Sequence, residues 1–216
     1  MKIVAAKKIL KANDQLAEEN RRKFNAAGAF CVNIVGSPGC GKTTLLEALF
    51  AQLGGTVAPA VIEGDIASSI DAERIDALGI PVVQINTDGA CHLDATMVQA
   101  AAEGFDLPTL DLLMIENVGN LVCTAGFDLG EHLRIALLSV PEGDDKLAKY
   151  PAIFRGSDAL VITKVDLLPH FEFSVARVRS DMSALASAAK VFEVSAKAGT
   201  GMEEIAVWLG ERMQAR

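Results

Sequence analysis

The sequence predicts an α/β fold, a mostly parallel sheet covered by helices on both faces and preceded by an N-terminal helix. Three observations predict it. Strand and helix patterns alternate from Phe30 almost to the C-terminus. The strand runs are continuous in Val, Ile and Leu, which marks a sheet covered on both sides. One glycine-rich stretch, "GSPGCGKT", sits where a strand turns into a helix.

Taken in order, residues 1–27 read as a helical extension, with Ile3, Val4, Ile9, Leu10, Leu16 and Phe24 spaced among charges. That extension is expected to dock on the domain or on a partner. Gly28 breaks the pattern, and residues 28–216 form the domain itself. Strands are expected at 30–35, 57–62, 81–86, 111–116, 133–140, 158–163 and 190–194. Helices are expected at 42–53, 71–78, 92–103, 174–188 and 202–215.

The 216 residues suit one compact domain plus a short extension. Acidic residues outnumber basic ones 28 to 20, a net charge of −8 that repels nucleic acid and anionic membranes. No apolar run reaches the length of a membrane span, and "MKIVAAKKIL" lacks the long apolar stretch of a signal peptide. Four cysteines without tight spacing, Cys31, Cys40, Cys91 and Cys123, indicate a reduced, cytoplasmic protein.

"GSPGCGKT" fits G-x-x-x-x-G-K-[ST] without a mismatch, in the strand-to-helix context the motif needs. It predicts a P-loop NTPase. Gly36, Gly39 and Gly41 let backbone N–H groups turn toward phosphates, with Ser37, Pro38 and Cys40 completing the loop, and the following helix adds its positive end. Lys42 reaches the β- and γ-phosphates, the Thr43 hydroxyl meets Mg²⁺, and Thr44 lies near the α-phosphate. Cys40 reads as packing.

"TKVD", Thr163 to Asp166, and "SAK", Ser195 to Lys197, each follow a strand. Together they look like the two guanine-reading elements of GTPases. The Asp166 carboxylate accepts from guanine N1–H and N2–H₂, a pair adenine does not offer, so the wrong base leaves a charge unpaired. The Lys164 stem packs over the base and the Ala196 N–H donates to O6. The usual first residue of the former motif is Asn. Threonine here puts the bracing of the loop in question.

Two acidic stretches complete the cleft. "VIEGDIASSIDAERI" offers Asp65 and Asp71 for Mg²⁺ or for orienting the attacking water; Asp71 has a helix N-cap as its simpler role, and Asp65, at a strand's C-terminal end beside the phosphate-loop strand, is the preferred candidate. "LLMIENVGNLVC" places Glu116 and Gly119 where small GTPases hold D-x-x-G, so Glu116 can reach Mg²⁺ through water and the Gly119 N–H can sense the γ-phosphate. No glutamine follows Gly119 to orient water, and slow intrinsic hydrolysis is expected.

Cys91 and His92 adjoin each other in "DGACHLDA", and Cys123 lies just past Gly119. Thiolate plus imidazole suits Ni²⁺ or Zn²⁺. For the pair alone, metal binding and plain loop packing both stay open. One chain gives three ligands, too few for a closed tetrahedral site, whereas a two-fold dimer doubles the supply.

The series "GSPGCGKTTLLE", "EGDIASSIDAERI", "QINTDGACHLDA", "LLMIENVGNLVCTAGFDLGE", "SVPEGDDKLAKYP" and "KVDLLPH" resembles the hydrogenase nickel-incorporation GTPases, the HypB family, over roughly residues 30–200. The resemblance implies a GTP-dependent homodimer that delivers nickel during nickel–iron hydrogenase maturation. It also implies interfacial metal ligands at Cys91, His92 and Cys123, and work alongside a small zinc-containing nickel chaperone and the hydrogenase large subunit. Some members carry an N-terminal CxxCGC nickel motif or a histidine-rich stretch. This chain has no cysteine before Cys31 and only three histidines, so it is expected to transfer nickel and not to store it. His132 and His170 read as ordinary strand, loop or turn positions. A urease-accessory GTPase and a P-loop kinase for a small metabolite are the alternatives. The kinase would need an arginine-rich lid, and residues 86–160 hold only Arg134 and Arg155.

Overall fold

The computed structural model describes residues 6–215. Seven strands are present among them: β1 (Phe30–Gly36), β2 (Pro59–Asp65), β3 (Val82–Asn86), β4 (Leu112–Glu116), β5 (Leu133–Ser139), β6 (Ala159–Thr163) and β7 (Lys190–Val194). All pair in parallel, in the order β3-β2-β4-β1-β5-β6-β7. Strand β1, which leads into the glycine-rich loop, is therefore central, and its carboxyl end opens onto the crevice where α/β sheets hold ligands.

Among the described residues eight α-helices cover the sheet: α1 (Ala6–Ala27), α2 (Lys42–Leu53), α3 (Ile70–Asp76), α4 (Ala95–Ala102), α5 (Lys146–Lys149), α6 (Pro151–Arg155), α7 (Val175–Leu185) and α8 (Met202–Gln214). Strand alternation assigns the faces. Phe30, Val32 and Ile34 pack with Leu45, Leu46 and Leu49 of α2 and Ile205 and Leu209 of α8. On the other face, Cys31, Ile62 and Ile115 meet Phe24 of α1 and Val98 of α4. Farther along that face, Leu138, Leu160 and Ile162 meet Phe154 of α6 and Val178 and Met182 of α7. Each such side chain, fully buried, contributes roughly 1.5–3 kcal/mol.

The differences from the expected elements have local causes. β2 runs to Asp65, past the expected end at 62, because Glu63 pairs with β4 and Asp65 with β3 despite their charge. α4 begins at Ala95 and not at 92, because the Asp94 side chain accepts from the Met97 N–H at 2.8 Å and caps the helix. The Cys91–His92 pair is left on a loop. The helices α5 and α6, of four and five residues, are too short to leave a periodic pattern in the sequence.

α1 docks on the domain through a face that holds Phe24 of the expected apolar residues together with two asparagines. Its buried positions are Asn13, Ala17, Asn20 and Phe24, recurring at helical spacing. Of the expected apolar residues, Leu10 and Leu16 are only partly buried, and Ile3 and Val4 lie outside the described residues. Asn13 Oδ1 accepts from the Ala95 N–H, and Asn20 Nδ2 donates to the Ala95 and Leu129 carbonyls. Arg21 forks onto Asp128 at 2.8 Å to each oxygen. Among the described residues, no helix is long and apolar enough to cross a membrane.

Candidate functional site: a phosphate loop joined to a thiolate–imidazole cluster

The loop leaving β1 turns sharply because Gly39 (φ 70°) and Gly41 (φ 97°) adopt left-handed backbone. α2 follows at once, with Lys42 and Thr43 buried at its N-terminus. Cys40 is fully buried with its sulfur under Gly36, where a Cβ would lie 2.7 Å from it, and burial raises its thiol to about 12. Its side chain belongs to the core under the loop. Ser37 and Pro38 lie at the open side of the loop.

The elements expected to read a base converge on that loop. Gly41, Thr44, Thr163, Lys164, Asp166 and Ser195–Lys197 line one cavity of about 300 Å³. Thr163, in the place where Asn was expected, still braces the loop. Its hydroxyl donates to the Cys40 carbonyl at 2.6 Å. Lys164, itself in left-handed backbone, donates from Nζ to the Gly39 carbonyl at 2.6 Å. The Ser195 N–H donates to the Thr200 carbonyl, and Ser195 Oγ accepts from the Ala198 N–H, which shapes the turn holding Ala196 and Lys197.

Carboxylates gather beside Lys42. The Thr43 hydroxyl donates to Glu116 Oε1 at 2.9 Å, and Lys42 Nζ lies 3.9 Å from the same oxygen. Glu63, Asp71 and Glu116 each bring an oxygen within 4.8 Å of the others. Glu63 escaped the sequence reading, since a glutamate inside a strand run shows nothing of which neighbour strand it faces. Of the two aspartates, Asp71 joins this cluster, and it sits in the first turn of α3, not at the N-cap, which is Ser69. Asp65 instead turns its carboxylate to the Ala67 and Ser68 N–H groups at 2.8 Å. Burial would raise the Asp65 carboxyl, but those backbone donors and that of Ile66 outweigh it and hold it below its ordinary value.

Burial, then the negative charge of Glu116, pushes Glu63 up to about 8. Burial pushes Glu116 up to about 7 against the pull of Lys42 and Thr43. Glu63 Oε2 and Glu116 Oε2 are buried with no hydrogen-bond partner among the described residues. Orphaned acceptors beside a threonine hydroxyl fit a hard divalent cation such as Mg²⁺.

Gly119 lies against the loop so closely that a Cβ there would come within 2.8 Å of Pro38 Cα. Beyond it, Cys123 opens a short 3₁₀ turn, Cys123–Gly126. Cys91, His92 and Cys123 bring their ligating atoms within 4.8 Å of one another, inside a single chain. Cys91 Sγ stands 3.8 Å from His92 Nδ1, and the His92 ring stacks on Phe127 at 3.9 Å. The Cys91 sulfur beside it, followed by partial burial, raises the Cys123 thiol. Two sulfurs and an imidazole make a soft set suited to Ni²⁺ or Zn²⁺. His132 is set apart, accepting the Cys31 N–H on Nδ1 and stacking on Phe30, and His170 ends the Val165–His170 turn.

A phosphate loop on the central strand of a parallel sheet, with a cavity at its side, defines a P-loop nucleotide-binding protein. The model of the CobW/HypB/UreG nucleotide-binding domain matches residues 30–193. The chain is 48% identical over 212 residues to hydrogenase maturation factor HypB of Azotobacter chroococcum mcd 1, covering 96% of this chain and 70% of that protein. It is 42% identical over 200 residues to probable hydrogenase maturation factor HypB of Methanocaldococcus jannaschii, covering 93% and 90%. The crystal structure of Helicobacter pylori HypB in complex with nickel superposes with a TM-score of 0.90 at 39% identity, covering 94% and 96%. The chain belongs to the HypB branch of the CobW/HypB/UreG family.

Proposed function

We propose that this protein is a GTP-hydrolysing metallochaperone that transfers nickel during maturation of nickel–iron hydrogenase. The observation that carries the reading is the Cys91–His92–Cys123 cluster, assembled on segments that border the phosphate loop. The names of the relatives support the biological role, and the nickel-bound neighbour supports the cargo.

In this reading residues 28–216 are the GTPase domain and residues 1–27 its extension. Asp166 selects guanine, with Lys164 over the base and the Ala196 N–H on O6. The N–H groups of Gly39 and Gly41 and the Lys42 ammonium hold the phosphates. Thr43 and Glu116, joined by Glu63 and Asp71, would hold Mg²⁺, which neutralises charge on the β- and γ-phosphate oxygens when bound. Asp71, at the open edge of that cluster, orients the attacking water, and the Gly119 N–H reports the γ-phosphate. Hydrolysis by one chain is slow, because no glutamine follows Gly119 to position water. Unassisted GTPases run near 10⁻⁴ to 10⁻³ s⁻¹, roughly.

Three ligands per chain make the metal site complete across a homodimer. GTP and metal then each favour the dimer, and by linkage each strengthens the other's binding. A small nickel chaperone upstream and the hydrogenase large subunit downstream are the partners this role requires, in the cytoplasm, with no part for nucleic acid or membrane. Sedimentation with GTPγS, with and without Ni²⁺, tests the reading. A dimer constant that tightens with both ligands supports it, and identical constants in all conditions overturn it.

A further inference from the structure

Five consecutive residues, Glu116 to Asn120, touch the phosphate loop and also both halves of the thiolate–imidazole cluster. Asn117 reaches one half. It is buried, and its N–H donates to the Ile34 carbonyl of β1 at 3.0 Å. Its side-chain oxygen accepts from the Leu93 N–H at 3.2 Å and from the Val118 N–H at 3.0 Å. Leu93 is the residue directly after His92.

Asn120 reaches the other half. Its N–H donates to the carbonyl of Gly36, the first residue of the phosphate loop, at 3.0 Å. Its side-chain oxygen accepts from the Val122 and Cys123 N–H groups at 2.7 and 2.8 Å, and its carbonyl takes the Thr124 hydroxyl at 2.6 Å. Val122 is 64% exposed and Cys123 only half-buried, so core packing does not pin the thiol-bearing turn at either residue. Buried Leu121 and Thr124 flank the two residues, and the Asn120 amide oxygen holds the two N–H groups between them.

Between the two asparagines lies Gly119, in contact with Pro38 of the loop. Any displacement of Gly119 at the phosphate loop would be shared by Asn117 and Asn120, which flank it within two residues. Each passes it through one short, two-torsion side chain to a backbone N–H within one residue of a metal ligand. Asn117 Nδ2 also donates to Asn33 Oδ1, and Asn33 Nδ2 to Glu131 Oε1, which anchors this linkage in the sheet. A buried polar chain of this kind has discrete hydrogen-bonded arrangements and resists intermediate ones.

We infer that Asn117 and Asn120 are positioning residues that couple the nucleotide state to the metal cluster, Asn117 through the Cys91–His92 loop and Asn120 through Cys123. The inference rests on the nucleotide and metal reading above. It assigns a role to two side chains that touch neither nucleotide nor metal.

The test is a Ni²⁺ titration of the full chain in its GDP and GTPγS forms, read by the thiolate-to-nickel absorbance, for wild type, Asn120→Ala and Asn120→Asp. Wild type is expected to show affinities that differ about fivefold or more between the two forms, the lower range for allosteric coupling. Asn120→Ala is expected to bring that ratio to within about twofold of unity, while nucleotide affinity without metal stays within about twofold of wild type. Asn120→Asp keeps an acceptor for both N–H groups and is expected to restore the ratio. Should Asn120→Ala be too unstable to titrate, Asn120→Gln, which moves the amide one methylene away, carries the same expectation. A ratio unchanged in the Ala variant, or one that Asp fails to restore, overturns the inference. Wild type binding nickel equally in both forms also overturns it. Wild type binding no nickel overturns the metal reading itself, a separate and visible failure.

Discussion

Thr163 and Cys40, 123 positions apart, are joined by a 2.6 Å hydrogen bond from the threonine hydroxyl to the cysteine carbonyl. The bond ties the base-reading loop to the phosphate loop. Thr163→Val keeps the shape and removes the donor from a buried carbonyl. It is expected to weaken guanine nucleotide binding by about 1–2 kcal/mol, roughly 5- to 30-fold, with the preference for guanine over adenine unchanged. Titration with fluorescent GDP and ADP analogues checks both parts. Equal affinity in wild type and variant would show that the bond braces nothing.

Asp166 stands exposed at the rim of the cavity, where a carboxylate can accept from two guanine N–H groups. Asp166→Asn replaces one acceptor with a donor. GTP affinity is expected to fall by roughly 100-fold or more, since the site's hydrogen bonds are then mismatched. Xanthosine triphosphate, which offers a carbonyl where guanine offers an amine, is expected to gain. Competition between the two nucleotides on the same preparation gives the answer, and an unchanged GTP/XTP preference removes Asp166 from base reading.

Glu63 and Glu116 are raised to about 8 and about 7 in the folded chain from ordinary values of 4.5. Between 4.5 and those values the folded state binds more protons than the unfolded state, so stability falls as pH rises. The contribution is fully present below the unfolded value and lost by about 8. In chelated buffer, the urea midpoint is expected to drop from pH 5.5 to 8.5, and Glu63→Gln, with its own proton exchange gone, is expected to flatten that drop. Parallel pH curves for wild type and variant would contradict the assignment.

The four cysteines divide by environment. Cys31 and Cys40 are fully buried and burial raises both thiols, Cys40 to about 12, while Cys91 and Cys123 are half-exposed. Iodoacetamide is expected to label Cys91 and Cys123 alone in the native protein, and bound Ni²⁺ to protect both. Cys91→Ala is expected to abolish nickel binding and leave GTP binding intact. Loss of nucleotide binding in that variant would mean that the loop is structural.

Asn20 holds the start of α4 and the Leu129 carbonyl from one side chain. Asn20→Leu removes both hydrogen bonds, at about 0.5–1.5 kcal/mol each. Because Ala95 lies three residues past His92 and Phe127 two residues before Leu129, nickel affinity is expected to fall along with the melting temperature. Asp128→Ala, which releases the half-buried Arg21 fork and the Gly130 N–H but leaves both Asn20 bonds in place, is the control. A destabilised Asn20→Leu that binds nickel as tightly as wild type would separate α1 from the metal site.

What the chain determined by itself lies in its local patterns. "GSPGCGKT" needs only the strand before it and the helix after it, and both are recorded in neighbouring residues. "TKVD", "SAK", Cys91, His92 and Cys123 were legible as residue types whose chemistry has few other uses. The tertiary structure decided which of these meet. The tertiary arrangement placed Glu63 opposite Glu116, set Asp71 and not Asp65 beside them and brought Cys123 to Cys91 within one chain. It also gave polar residues in apolar surroundings, Asn33, Asn117 and Asn20, their partners. A side chain's face follows from its own strand's two-residue period, but its neighbour follows from register and sheet order. Those are set by burial summed over the whole core, and no short stretch of sequence contains that sum.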